Sequence, residues 1–264
     1  MRRFVDWLRS PEFVTTSASL AFYAMISLPP MVLIGFWIAG WFVDESALQE
    51  LGGEVDEQAP AELPLADVLE GLIEVAGRTG ALAAVAAVWP ATTYGAALAR
   101  AFSTIAPEAD RRIRGWRGRL LSLVVIATFP LLVFSGLAAT YVVPRLVGQG
   151  IGLTAVLGAG ALALLSGVIG LLYSLFRLRD TGWREVATGA GVATALIGLS
   201  TAGYLGYLQF SDFTERYGTT WVATAVLLGL WLLLGNASLV VGYRVMLRRA
   251  AHRPSHDRLE RGGA

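Results

Sequence analysis

The sequence predicts an all-α fold, a polytopic membrane bundle of six transmembrane helices, and three observations lead there. Of its 264 residues, 55% are apolar or aromatic and only 16% charged, against about 25% charged in an ordinary soluble domain. Mean hydropathy is +0.58. The charges stand in blocks between long apolar runs, and those blocks alternate between Arg-rich and Arg-poor along the chain.

A spanning helix needs roughly 20 mostly apolar residues, and six windows supply them: 17–43, 80–104, 120–143, 151–176, 186–208 and 219–243. Cytoplasmic loops concentrate basic residues. Arg2, Arg3 and Arg9 precede span 1, and Arg111, Arg112, Arg114, Arg117 and Arg119 lie between spans 2 and 3. Arg177, Arg179 and Arg184 separate spans 4 and 5, and Arg244, Arg248, Arg249, Arg253, Arg258 and Arg261 follow span 6. The other side holds Arg78, Arg145 and Arg216, with an acidic run from Asp44 to Glu74. Both termini are therefore expected in the cytoplasm and the protein in the cytoplasmic membrane. All 21 basic residues are Arg, and Cys is absent, which excludes disulfides, thiolate nucleophiles and Cys metal sites. The basic start lacks a short apolar core followed by a small-residue cleavage site, so span 1 is expected to be retained.

Two loops carry further pattern. In "PLADVLEGLIEVAGRTG", Leu65, Val68, Leu69, Leu72 and Val75 share a helical face, with Asp67, Glu70 and Glu74 away from it. This predicts an external amphipathic helix between spans 1 and 2, capping the bundle or lying at the interface, as a packed lid with a solvated acidic face or, alternatively, in a substrate-steering role. On the inner side, "PEADRRIRGWRGRLL" puts acids in a first turn and then Arg around Trp116. That suits an anionic headgroup layer, so Arg111, Arg112, Arg114, Arg117 and Arg119 form a candidate anionic-lipid rim, with plain topology anchoring as the alternative. Residues 1–247 make the membrane domain, and the Arg-rich 248–264 is expected to be a disordered tail.

Four stretches, in order, resemble the YihY/virulence factor BrkB family, once labelled ribonuclease BN. They are "ASLAFYAMISLPPMVL" (18–33), "ALARAFSTIAPEADRRIRGWRGRLLSL" (97–123), "GWREVATGAG" (182–191) and "YGTTWVATAVLLGLWLLLGNASLVVGYR" (217–244). The resemblance implies an integral cytoplasmic-membrane protein of about six helices, with roles in envelope integrity or export proposed for the family and the ribonuclease label regarded as a misassignment. The chain departs from the family pattern at Pro29, where an aromatic is expected, at Ser103 for Asn, and at Leu233 for Tyr. Gly242, Tyr243 and Arg244 replace a Gly-Ala-Glu, exchanging an acid for a base.

The sequence offers little for catalysis. His252 and His256 sit around Pro254 at the polar C-terminal end, a poor metal site. No nucleophile elbow, phosphate-binding glycine loop or paired intramembrane acid is present. No enzyme activity, no cofactor, no metal and no nucleic-acid partner is expected. The expected partners are the lipid bilayer and anionic headgroups at its cytoplasmic face, and the sequence leaves homo-oligomerisation open.

What remains is proline placement beside uncharged polar groups. Pro30, Pro90 and Pro130 fall near mid-depth of spans 1, 2 and 3, and Pro30 also biases Pro29 away from helical geometry. The pair thus predicts a break in span 1, not a bend. Freed carbonyls must be satisfied by neighbouring helices, hydroxyls or water, and Tyr23, Ser27, Thr92, Thr93, Tyr94 and Asn236 lie close by. The candidate cavity or hinge therefore comprises Tyr23, Ser27, Pro29, Pro30, Pro90, Thr92, Thr93, Tyr94, Pro130 and Asn236. The C-terminal half has Gly- and Ala-rich spans suited to close packing, with Ala159-x3-Ala163 and Gly198-x3-Ala202 as small-residue pairs. Three functions are weighed: a transporter or flippase-like exporter of an amphipathic or lipid-derived envelope molecule through a Pro-kinked mid-membrane cavity, a non-catalytic membrane scaffold for envelope integrity, and, with the least support because no general base is in place, a membrane-associated ribonuclease.

Overall fold

Ser10 begins the first long helix, and its chemistry explains why. Its hydroxyl accepts the Phe13 amide at 3.3 Å, Pro11 fills the first helical position, where no donor is needed, and Glu12 places negative charge in the first turn. In the computed structural model, residues 2–39, 71, 81–107, 151–178, 181–210 and 220–252 are described. They form six helices: α1 (Arg2–Leu8), α2 (Pro11–Ala39), α3 (Ala81–Ile105), α4 (Ile151–Leu175), α5 (Trp183–Phe210) and α6 (Thr220–Ala251). No strand occurs among the described residues. Stretches within α4, α5 and α6 (Gly158–Leu175, Trp183–Tyr204 and Ala225–Ala251) are long and apolar enough to cross a membrane. The predicted third span with Pro130, the Arg111–Arg119 cluster and the residues after His252 lie outside the described residues, as does the predicted external helix apart from Gly71.

α6 packs along α5 and against α2, α2 packs on α3, and α4 packs on α5. Paired contacts give the helix directions. Arg100 lies over the Tyr23 ring while Thr93 meets Ser27, so α2 and α3 are antiparallel. Gly189 meets Gly242 and Thr201 meets Trp231, so α5 and α6 are antiparallel too. Gly170 faces Ala190 while Gly198 faces Leu162, which makes α4 antiparallel to α5. Tyr94 bonds Asn236 and Phe102 stacks on Tyr243, so α3 and α6 run the same way. Hence α3 ends, and α4 begins, at opposite ends of the bundle. Arg100, Arg177, Arg184, Arg244, Arg248 and Arg249 gather near one end, called here the Arg-bearing end.

Just inside that end lies the core. Phe102, Tyr173, Phe176 and Tyr243 are all buried, with Phe102 stacked on Tyr243 at 4.3 Å and edge-on to Phe176 at 5.1 Å. Buried tyrosine needs a partner for its hydroxyl. Tyr173 donates to the Leu239 carbonyl at 2.6 Å and Tyr243 to the Phe176 carbonyl at 2.9 Å. Where the resemblance leads one to expect Ala-Glu, the Tyr243 ring fills the core, and Arg244 beside it reaches out to lie 5.2 Å over Trp7 of α1.

Three expectations need correction. α2 is helical straight through Pro29 and Pro30, so the pair does not break it. Each proline deletes one donor, leaving the carbonyls of Met25 and Ile26 without theirs, but a full break would free many more groups in an apolar setting. α6 continues to Ala251, so Arg248 and Arg249 form its last turn rather than the start of a tail. Basic residues are favourable there, against the negative end of the helix. Finally, among the described residues Ala159 and Ala163 are exposed, and a close approach between helices lies instead where Gly189 and Ala193 of α5 face Gly242 of α6. A Cβ on Gly242 would lie 2.6 Å from the Gly189 carbonyl oxygen and 2.7 Å from the Ala193 Cβ.

Candidate functional site

Ser27 stands near the middle of α2, fully buried. Serine in a helix interior turns its hydroxyl back onto the preceding turn, and here it donates to the Tyr23 carbonyl at 2.6 Å. Thr93 does the same on α3, toward the Pro90 carbonyl at 2.7 Å. The two hydroxyl oxygens then meet at 2.9 Å, joining α2 to α3. Because the helices are antiparallel, Pro30, three residues after Ser27, and Pro90, three before Thr93, stand at the same level.

One residue on, Tyr94 donates its hydroxyl to Asn236 Oδ1 of α6 at 2.8 Å, and Asn236 Nδ2 donates to the Leu232 carbonyl at 2.8 Å. Asn236 is 3% exposed. Around these groups Ala21, Ala24 and Leu232 form a small buried cluster, flanked by Leu28, Tyr94 and Trp231. A seam of uncharged polar side chains therefore links three helices at mid-length.

Proton counting separates its two halves. Ser27 and Thr93 have two hydroxyl protons for three short contacts: the Tyr23 carbonyl, the Pro90 carbonyl and each other. When both protons go to backbone, each hydroxyl is satisfied within its own helix. Parting α2 from α3 here strands no donor. The Tyr94–Asn236 pair differs, because separating α3 from α6 strips the Tyr94 hydroxyl of its acceptor, which is costly when buried. The first contact is a cheap seam and the second is a latch.

Tyr94→Phe is accordingly expected to destabilise the purified protein by leaving Asn236 Oδ1 unpaired. Tyr94→Phe combined with Asn236→Leu should recover part of the loss. A double-mutant cycle on thermal unfolding in detergent should give a coupling of about 0.5–2 kcal/mol.

The other sequence candidates take different places. Thr92 bonds its own helix at the Trp89 carbonyl, 2.7 Å away, and does not join the seam. Tyr23 contributes its carbonyl, and its ring lies 5.5 Å below the Arg100 guanidinium. The exposed Pro29 points away from the packed face, whereas Pro30 is half-buried. The hydroxyls bond the carbonyls of Tyr23 and Pro90, not those of Met25 and Ile26 that the prolines deprive of donors. Pro130 and Arg111, Arg112, Arg114, Arg117 and Arg119 lie outside the described residues.

Three features escaped sequence reading. Trp231 Nε1 donates to Thr201 Oγ1 at 3.1 Å, a further polar tie between α5 and α6. Glu185 is buried in the first turn of α5, where the helix's positive end favours a carboxylate; an acid at a helix start was the available signal. The Gly189/Gly242 approach is the third, and only Gly189-x3-Ala193 hinted at it.

Long apolar helices, with polar side chains pooled at mid-length and arginines at one end, define a helical integral membrane protein. The profile of the Virulence factor BrkB family matches residues 8–261, and the chain belongs to that family. No curated protein and no solved structure is similar enough to count as a match.

Proposed function

We propose that this protein moves an amphipathic or lipid-derived envelope molecule across the cytoplasmic membrane, as a flippase-like exporter whose Arg-bearing end faces the cytoplasm. The carrying observation is the Ser27–Thr93 contact, a polar junction between buried Ser27 of α2 and half-buried Thr93 of α3 that opens without stranding a hydrogen bond. Through-membrane passage requires helices to part at mid-depth, where an unpaired polar group is most costly. A junction with backbone acceptors on both sides removes that cost. Its uncharged hydroxyls suit the hydroxyl, ester or amide groups of a substrate whose apolar part stays in lipid. The Arg-bearing end supplies the positive-inside orientation and would meet an anionic head first.

Liposomes containing the purified protein test the reading. With a fluorescent phospholipid analogue in both leaflets and a membrane-impermeant quencher outside, protein-containing vesicles should expose the inner-leaflet pool faster than protein-free ones. Equal rates with every envelope-type lipid supplied would contradict it.

One observation favours a scaffold instead: Tyr94, half-buried, and Asn236, buried, are closed upon each other, as in a bundle that never opens. In that case Ser27→Ala with Thr93→Ala should leave envelope phenotypes intact, while changes at the exposed Arg-bearing end abolish them. A ribonuclease reading has the least support. His252 is exposed at the end of α6 with Nδ1 against the Arg248 carbonyl, and among the described residues no acid–base pair stands beside it.

A further inference from the structure

At the Arg-bearing end, α1 folds back beside the last turns of α6. Phe4, Val245, Arg248, Arg249 and His252 line an open cavity of about 350 Å³ there. Arg248 holds its guanidinium 4.8 Å above the Phe4 ring. Arg249 donates one Nη1 proton to Thr188 Oγ1 at 3.2 Å. His252 caps the helix, its amide reaching the carbonyls of Arg248 and Arg249 at 3.2 Å. Its Nδ1 lies 2.7 Å from the Arg248 carbonyl. A carbonyl only accepts, so Nδ1 carries a proton and Nε2 is left for another partner.

Among the described residues, no carboxylate lines this cavity. Among the described residues, Arg248 and Arg249 meet an aromatic face and a hydroxyl, not an acid. Arg244, one turn earlier, is likewise held over Trp7. Among the described residues, two guanidiniums thus keep most of their donors unspent beside an apolar wall. Such forks match a phosphate bidentately, and α6 at this point is the end of an apolar stretch running to Ala251. A ligand suited to both surfaces has a phosphodiester for the arginines and a glycerol–acyl part for Phe4 and Val245.

We propose that this cavity is a binding site for the headgroup phosphate of an anionic phospholipid, distinct from the mid-helix seam and independent of any transport role. Phe4 clamps the lipid's glycerol region, Arg248 and Arg249 hold the phosphate, and α1 is pinned beside α6 by the bound lipid.

Native mass spectrometry of the intact, detergent-purified protein tests this with three probes: dioleoyl phosphatidylglycerol, dioleoyl phosphatidylcholine and inorganic phosphate. The wild-type chain should retain phosphatidylglycerol in preference to phosphatidylcholine, and inorganic phosphate should not displace it. Arg248→Gln with Arg249→Gln should weaken phosphatidylglycerol retention roughly thirtyfold, at about one order of magnitude or less per basic residue lost at the surface. The charge-matched control, Arg177→Gln with Arg184→Gln at the same end, should cost less than about fivefold. Phe4→Ala should weaken retention while leaving the net charge unchanged. Equal losses in both double variants would overturn the proposal as general charge attraction. Displacement by inorganic phosphate would overturn it as a free-anion site, and equal retention of phosphatidylcholine by the wild-type chain would overturn it without any variant.

Discussion

Gly242→Ala is expected to lower the thermal stability of the protein, although alanine is the better helix former by about 1 kcal/mol. The added Cβ would stand 2.6 Å from the Gly189 carbonyl oxygen, 2.7 Å from the Ala193 Cβ and 2.7 Å from the Tyr173 hydroxyl. Two of these three neighbours cannot swing aside: one is backbone, and the other is a Cβ fixed to it. α5 and α6 would have to separate, loosening the Phe102–Tyr243 stack and the Tyr173 bond to Leu239. Overpacking of this kind costs about 1–3 kcal/mol. Gly189→Ala should behave alike, because its Cβ meets Met246 at 2.7 Å and the Gly242 carbonyl at 2.8 Å. Gly191→Ala, two residues away with nothing within 4 Å, should be neutral or slightly stabilising. Thermal unfolding in detergent, followed by loss of the monodisperse elution peak, separates the cases. Equal behaviour of the variants at Gly242 and Gly191 would contradict a close α5–α6 crossing.

That crossing also shows where the sequence stops being legible. Apolar length and charge blocks make the helical class plain, because a lipid-facing helix needs a long uninterrupted run. Which glycine sits at a contact is a question of rotation about each helix. In a helix that is apolar all round, hydrophobic periodicity does not distinguish the lipid-facing side from the protein-facing side. Ala159-x3-Ala163 and Gly189-x3-Ala193 are equivalent as patterns, yet among the described residues only the second faces a partner helix. The Pro29–Pro30 pair failed as a sign of a break for a related reason. Proline's local penalty is fixed, but in an apolar setting the alternative to a helix is worse.

The candidate site was more readable. Uncharged polar residues are scarce in such runs, so those at mid-length have few places to go except to one another. Ser27, Thr93, Tyr94 and Asn236 do meet, and the opposed Pro30 and Pro90 follow from the antiparallel pairing of α2 and α3. Thr92 was beyond reach of the sequence, since its neighbour Thr93 carries the same chemistry one helical step away. Only the rotation of α3 decides that Thr93 faces Ser27 while Thr92 turns to Trp89.

Whether α2 and α3 part at Ser27 and Thr93 is the central question, and the absence of cysteine makes it directly testable. The two side-chain oxygens are 2.9 Å apart, so Ser27→Cys with Thr93→Cys brings two thiols within reach of a disulfide after small adjustments. With no competing thiol, oxidation can form only this bond within one chain. In the liposome assay, the reduced variant should move the lipid analogue and the oxidised one should lose that movement completely. Reductant should restore it, and either single cysteine variant should be insensitive to oxidant. Undiminished movement with the cross-link formed quantitatively would contradict the opening of this seam.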